Sequence, residues 1–291
     1  MNDRIFDSAF LKKLDSIALN VRMTMGEGMG GNRKSRNKGS SVEFSDFREY
    51  SAGDDFRRID WNAYGRFDKL FVKLFMEERE AMVNIFIDGS RSMAFGEPKK
   101  SDTALKLAGV FAFLSLNNLD RVCINSVTDS GLRESSMITG KAMFDRCISF
   151  LEGMEFTGRT DLDTQLKRKD FRGRGISFVI SDFFTPGGIE TAVKYMLFKK
   201  QEVVLVQVLS PEELNPGLEG QVRLQDSETG QNVDVSVTPA LLKQYSKELA
   251  AFTGKLRDFC SRLGAAYVLA DSSEPIEKLV FEDIAKTGII G

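Results

Sequence analysis

Five oxygen-bearing residues are spaced so that they could hold a metal ion together. In "AMVNIFIDGSRSMAF" an apolar run over 82–87 stops at Asp88, and Ser90 and Ser92 follow at two-residue steps. In extended backbone, residues i, i+2 and i+4 project to one side, so a carboxylate and two hydroxyls can converge just past a strand end. Open α/β sheets bind their ligands there. These three groups carry too few oxygens and too little charge for a hard divalent cation, so further oxygens must come from other strand ends. Thr160, in "TGRTDLDTQL", opens a helical pattern, and Asp182, in "FVISDFFTPGG", follows the next apolar run as Asp88 follows its own. Taken singly, each of the five could cap a turn or a helix. Asp161 and Asp163 read as helix-start acids.

The 291 residues contain no histidine, which removes the commonest general base and the commonest transition-metal ligand. Ser-His-Asp, Cys-His and zinc-hydrolase readings fall away, and any metal must be held by oxygens. Cys123, Cys147 and Cys260 are far apart and sit in apolar or helical surroundings, so they read as core thiols. A formal net charge of -2 gives no electrostatic reason to expect nucleic acid or lipid as the main partner. No apolar run is long enough to cross a bilayer, and charges interrupt "MNDRIFDSAFLKKLDSIAL", so a cytoplasmic protein is expected.

The elements that must position the five oxygens are legible as short apolar runs. "MVNIFI" (82–87), "RVCINSV" (121–127), "ISFVIS" (176–181) and "EVVLVQVL" (202–209) read as buried parallel strands. Helical patterns alternate with them: "SDTALKLAGVFAFLSLNN", capped by Ser101 and apolar nearly all round, then "AMFDRCISFLEGM" and "IETAVKYMLFKK". Such alternation predicts a parallel sheet wrapped by helices on both faces. Near the C-terminus, Thr238 as cap, Pro239 in the first turn and Gly264 as terminator bound a long amphipathic helix, followed by the strand "AAYVLA". "QVRLQDSETGQNVDVSV" reads as a polar β-hairpin inserted near 218–237.

With these elements in place, Asp-x-Ser-x-Ser, a distant Thr and a distant Asp resemble the metal-ion-dependent adhesion site of von Willebrand factor A domains. The resemblance implies that Ser90, Ser92 and Thr160 contact Mg²⁺ directly, with Mn²⁺ or Ca²⁺ as substitutes. Asp88 and Asp182 would act through water or hydrogen bonds, and an acidic partner residue would complete the coordination. Neutral hydroxyls leave the cation electrophilic enough to attract an outside carboxylate. Arg91 and Arg159 flank the set and could steer that carboxylate.

The segment "GSSVEFSDFREYSAGDDFRRIDWNAYGRFDKLFVKLFMEERE" (39–80) with "DGSRSM" resembles the bacterial family named domain of unknown function 58. Glu43, Phe44, Arg48, Tyr50, Gly53, Asp54, Arg58, Ile59, Asp60, Trp61 and Arg66 carry the resemblance, which extends from about residue 28 onward. The chain departs from it at Asn32, where many members have a histidine, and in lacking the N-terminal membrane spans of many members. Glu43, Arg48, Asp54, Arg58, Asp60, Trp61 and Arg66 are expected to form a network fixing an extended arm and hairpin, or else to meet a partner. The basic run 33–38 lacks interleaved aromatics and reads as a surface loop, with nucleic-acid binding a minor alternative.

The expected architecture is therefore a von Willebrand A-like doubly wound sheet at 81–291, preceded at 1–80 by an N-terminal helix, a basic loop and an arm packing on the core. The expected function is Mg²⁺-dependent protein binding without catalysis. The family's frequent pairing with MoxR-type AAA+ ATPases implies an adaptor or co-chaperone between such an ATPase and a client. A metal-assisted phosphoester hydrolase is the alternative, weakened by the sparse carboxylates and by only Arg91 and Arg159 as a basic clamp. No glycine-rich phosphate cradle follows any strand, which argues against a nucleotide site.

Overall fold

The computed structural model describes residues 6, 8–14, 43–51, 54, 56, 59–76, 81–185, 187–226 and 230–290. They fall into two compact units: residues 81–290 with the N-terminal helix, and the described residues of 43–76.

Helix α1 (Ser8–Leu14) belongs with the larger unit, whereas the sequence groups it with the basic loop and the arm in one region over 1–80. The reason is apolar burial: Phe6, Phe10 and Leu14 join the main core, and the Phe6 ring stacks on Phe10 at 5.5 Å. The same ring lies so close to Gly109 that a β-carbon there would collide with it. The basic run 33–38 lies outside the described residues.

The smaller unit is an antiparallel pair, β1 (Glu43–Glu49) and β2 (Phe71–Met76), joined through a short helix, α2 (Trp61–Phe67). Asp60 starts α2 by accepting hydrogen bonds from the Asn62 and Ala63 amides, and Asp68 ends it in the left-handed region. The hairpin was expected from the sequence, whereas α2 was not. None of its residues is buried, so no apolar periodicity announces it.

The larger unit holds a seven-stranded sheet and a separate two-stranded hairpin. In chain order its strands and helices are β3 (Met82–Asp88), α3 (Lys100–Asn117), β4 (Arg121–Thr128), β5 (Gly131–Glu134), β6 (Ile138–Thr139), α4 (Phe144–Glu152), α5 (Leu162–Lys167) and β7 (Gly175–Ser181). There follow α6 (Glu190–Phe198), β8 (Gln201–Leu209), α7 (Pro211–Leu214), β9 (Gly220–Gln225), β10 (Asn232–Val237), α8 (Pro239–Leu263), β11 (Ala266–Asp271) and α9 (Ile276–Lys278). The strand order is β11-β8-β7-β3-β4-β5, with β6 also on β4. Within this sheet the pairings are parallel except those of β5 and β6 to β4.

Alternation along the strands divides the core into two layers. Ile85, Ile87, Phe178, Ile180, Val206 and Val208 face α1, α3, α4 and the C-terminal turns. Phe86, Val179, Val203 and Leu205 face α5, α6 and α8. This is a doubly wound, mostly parallel sheet with helices on both faces, and β9 and β10 form an inserted hairpin. The α3 start differs from expectation: Lys99 occupies the cap position and Ser101 is buried inside the helix. Among the described residues, no helix is long and apolar enough to cross a membrane.

Candidate metal centre

The chain leaves β3 toward β4 on one side and later returns with β7 on the other, so the switch point of the sheet lies between β3 and β7. Asp88 ends β3 and Asp182 immediately follows β7. Both are buried, as are Ser90 and Thr160, while Ser92 is partly exposed.

Three loops are laced together here by backbone hydrogen bonds. The Gly89 amide donates to Val127 O (2.8 Å), and its carbonyl accepts from the Thr157 amide (2.9 Å). The Arg91 amide donates to Gly158 O (3.0 Å). A β-carbon at position 89 would stand 3.0 Å from Val127 O and from Thr128 Cγ2, so glycine permits this approach. The Thr185 hydroxyl donates to Thr160 O (3.2 Å), bringing the loop after β7 to the one before α5.

The hydroxyls are not used as caps. Ser90 has extended backbone ahead of the 3-10 turn Arg91–Ala94, yet its side chain makes no cap hydrogen bond and lies 3.0 Å from the Ser92 hydroxyl. Asp161, not Thr160, caps α5 by accepting from the Thr164 amide. Among the described residues, the Thr160 hydroxyl makes only a long bond, to Val127 O at 3.4 Å.

The carboxylates, by contrast, are held by protein donors. Asp88 Oδ1 accepts from the Ser90 amide (2.9 Å) and Oδ2 from the Ser181 hydroxyl (2.6 Å). Ser181 in turn accepts from the Phe183 amide (2.9 Å). Asp182 Oδ1 accepts from the Phe184 amide (3.0 Å) and Oδ2 from Lys100 Nζ (2.6 Å), and its carbonyl accepts from Gln207 Nε2 (2.8 Å). Burial pushes the Asp88 carboxyl upward from its ordinary value; the charge of Asp182 adds to this, and hydrogen bonds from Ser181 and Ser90 oppose it.

This donor set fits a small hard cation. It contains oxygens only, with neutral hydroxyls at the front and carboxylates whose protein hydrogen bonds suit them to acting through water. Two buried carboxylates that repel one another also favour a positive charge between them. Among the described residues, no group of three or more Asp, Glu, Cys or His could hold a metal. An ion here would therefore rest on the hydroxyls.

Arg91 and Arg159 both have exposed side chains on the loops around this point. In the smaller unit, Arg48 pairs with Asp54 at 2.7 Å, and Asp60 is occupied as the cap of α2. Trp61 and Arg66 project from α2 and are exposed, and the Trp61 ring meets Tyr64 edge-on at 6.4 Å. The Glu43 and Arg58 side chains lie outside the described residues.

Three polar groups at the centre are absent from the sequence reading: Ser181, Lys100 and Glu213. Ser181 is hidden as the last residue of an apolar strand, and Lys100 as one of two lysines at the start of a helix. A signal for Lys100 did exist: the helix it opens is apolar almost all round, which leaves a side chain in its first turn little access to water.

Fold and site together define a doubly wound α/β domain with a candidate cation site at its switch point. Residues 46–253, more than half of the chain, match the family described as Protein of unknown function DUF58, and the chain belongs to that family. It is similar to the uncharacterized protein Rv1480 of Mycobacterium tuberculosis (strain ATCC 25618 / H37Rv), with 26% identity over 254 residues covering 85% of this chain and 80% of the relative. The uncharacterized protein Mb1516 of Mycobacterium bovis matches with the same figures. Among solved structures, the conserved hypothetical protein BatB from Bacteroides thetaiotaomicron matches at a TM-score of 0.43 and 16% identity, covering 72% of this chain and 98% of that one. An aerotolerance-related membrane protein from Bacteroides fragilis gives 0.44 and 18%, covering 71% and 99%. The SpRpn10 VWA domain gives 0.36 and 12%, covering 69% and 94%.

Proposed function

We propose that this chain is a divalent-cation-dependent protein-binding module of the cytoplasm, taking Mg²⁺ at Asp88, Ser90, Ser92, Thr160 and Asp182, with Mn²⁺ or Ca²⁺ as substitutes. One observation carries the reading: hydroxyls that cap nothing are gathered beside two buried carboxylates at the switch point of a parallel sheet. The bound cation would supply a Lewis-acidic point able to accept a carboxylate from another protein. The Ser90, Ser92 and Thr160 hydroxyls would present it without neutralising it. Asp88 and Asp182 would hold the surrounding water and loops, and Arg91 and Arg159 would draw an acidic partner inward.

Binding rather than catalysis is favoured because carboxylates are sparse here and Asp182, one of the two that could activate water, is already paired with the Lys100 ammonium at 2.6 Å. The family resemblance suggests a MoxR-type AAA+ ATPase or its client as the carboxylate bearer.

The test compares wild type with Ser90→Ala/Ser92→Ala, both verified as folded by circular dichroism. Mn²⁺ titration followed by electron paramagnetic resonance and pull-down from native extract, with Mg²⁺ or EDTA, are the readouts. Wild type should bind Mn²⁺ and retain its partner only with the cation, and the variant should do neither. Identical capture in all four pull-down samples would defeat the reading.

A further inference from the structure

The proposed function makes no use of Lys100, although its position is costly. The side chain is fully buried at the start of α3, and an ammonium taken from water is tolerated only when paired. Its Nζ lies 2.6 Å from Asp182 Oδ2 and 2.6 Å from Glu213 Oε1. Phe184 covers it, with the ring centroid 5.8 Å from Nζ.

The two carboxylates belong to different segments. Asp182 follows β7 and is part of the candidate centre, whereas Glu213 is on α7, beyond β8. Glu213 is itself anchored: Oε2 accepts from the Ser210 amide (2.9 Å), and its own amide donates to the Ser210 hydroxyl (3.3 Å). Its carbonyl accepts from the Tyr245 hydroxyl of α8 (2.8 Å). Phe184 reaches the same helix, stacking on Phe252 at 5.3 Å. One ammonium thus joins a carboxylate of the cation site to the segment that leads into the β9–β10 hairpin and α8.

We propose that Lys100 is a positioning residue, an internal counter-charge divided between Asp182 and Glu213, which sets how tightly the site holds a divalent cation and transmits its occupancy to α7 and α8. The proposal rests on the reading of the five oxygens as a cation site. The physical basis is competition. A divalent cation near Asp182 repels the ammonium, and at such separations in a partly shielded interior one unit charge shifts affinity by about tenfold or more. Glu213 offers the displaced ammonium a second carboxylate, so the cation's arrival shifts Lys100 toward α7. This gives occupancy a mechanical route to a helix outside the site.

The test uses the full chain and Mn²⁺ alone, with affinity read from the free-ion resonance. Lys100→Met should bind Mn²⁺ about tenfold more tightly or better. Glu213→Gln, which leaves the ammonium to Asp182 alone, should bind more weakly. If Lys100→Met fails to fold, Lys100→Met/Glu213→Gln removes both charges and should also bind more tightly than wild type. Hydrogen exchange supplies the second readout: Mg²⁺ should increase amide protection in 211–214 and in the first turns of α8 in wild type but not in Lys100→Met. Wild-type affinity in every Lys100 and Glu213 variant, or shifts of the same sign in Lys100→Met and Glu213→Gln, would overturn the counter-charge. Unchanged exchange at α7 and α8 in wild type would overturn the transmission. If wild type binds no Mn²⁺ that Ser90→Ala/Ser92→Ala abolishes, the cation site itself falls and this proposal with it.

Discussion

Two lysines are drawn into the α/β unit, and their surroundings differ in kind. Lys100 lies beneath the strand ends with no exposed side-chain surface, between Asp182, whose side chain is 3% exposed, and Glu213, 16% exposed. Lys169 lies against the β4 face near the antiparallel edge, 2.7 Å from a Glu134 carboxylate that is 44% exposed, with Asn125 Oδ1 at 3.1 Å and Cys123 Sγ at 3.6 Å. Water reaches the second pair and screens it. It barely reaches the first, where removing the ammonium strands the buried Asp182 carboxylate beside that of Glu213. Desolvation offsets most of the attraction in an enclosed pair, so such a pair is weak evidence for stability and stronger evidence that geometry is being specified. On this comparison Lys169 belongs to an exposed edge of the fold, and Lys100 to the enclosed surroundings of the candidate cation site.

The largest expected effect follows directly. In EDTA, Lys100→Met should lower unfolding stability by about 3 to 5 kcal/mol, the usual result of breaking an enclosed pair from one side. Urea denaturation measures it. Saturating Mg²⁺ should restore more stability to this variant than it adds to wild type, because the ion replaces the missing charge and ligand binding stabilises by mass action. A loss in EDTA below about 1 kcal/mol would place Lys100 with ordinary surface pairs and end the contrast.

The contrast also marks what the sequence could disclose. Parallel strands buried on both faces appear as apolar runs, so β3, β4, β7 and β8 were legible to within a residue or two. Helix α8 was legible from Thr238, Pro239 and Gly264, whose capping roles are local. The edge strands β5 and β6 were not: "GLRE" and "IT" are too short to show a period, and tertiary pairing alone makes them strands. At the site, Asp88 and Ser90 were legible from the extended backbone at the end of β3, whereas Ser92 lies in the 3-10 turn Arg91–Ala94, not in the extended run expected, and meets the Ser90 hydroxyl from that turn at 3.0 Å. Thr160 and Asp182 were legible because each stands at a recognisable boundary. For Lys100 only its burial was hinted at, by the apolar helix it opens; its pairing was not, since its partner Glu213 lies more than a hundred residues away. Pairing at that separation leaves no local pattern.

Asp163 provides a case between the two lysines. It accepts from Lys167 Nζ (2.6 Å), from the Thr191 hydroxyl and from the Ala192 amide (2.7 Å), so it binds α5 to the start of α6. Burial pushes its carboxyl upward, but the bonds from Lys167, Thr191 and Ala192 outweigh burial and leave the value below the ordinary 3.8. With the folded value below the unfolded one, its contribution is fully present above the unfolded value and is lost as pH falls through the folded one. Asp163→Asn should therefore cost about 1 to 2 kcal/mol at neutral pH and flatten the part of the stability profile below about pH 4. Urea midpoints measured across acid pH test this, and an unchanged acid limb would show that the Asp163 contacts carry no charge-dependent stability.

Lys169→Met should have the smallest effect, about 1 kcal/mol or less, because Glu134 can turn to water when its partner is gone. Its value lies in the second measurement. Lys169 donates to Asn125 on β4, the strand whose Val127 carbonyl accepts from Gly89 and Thr160, so a purely mechanical influence on the cation site has a path through β4. If Lys100 acts through charge on Asp182, Lys169→Met should leave Mn²⁺ affinity at the wild-type value while Lys100→Met changes it. An equal change in both would mean that any loosening of the sheet alters the site, and the two lysines would differ only in depth.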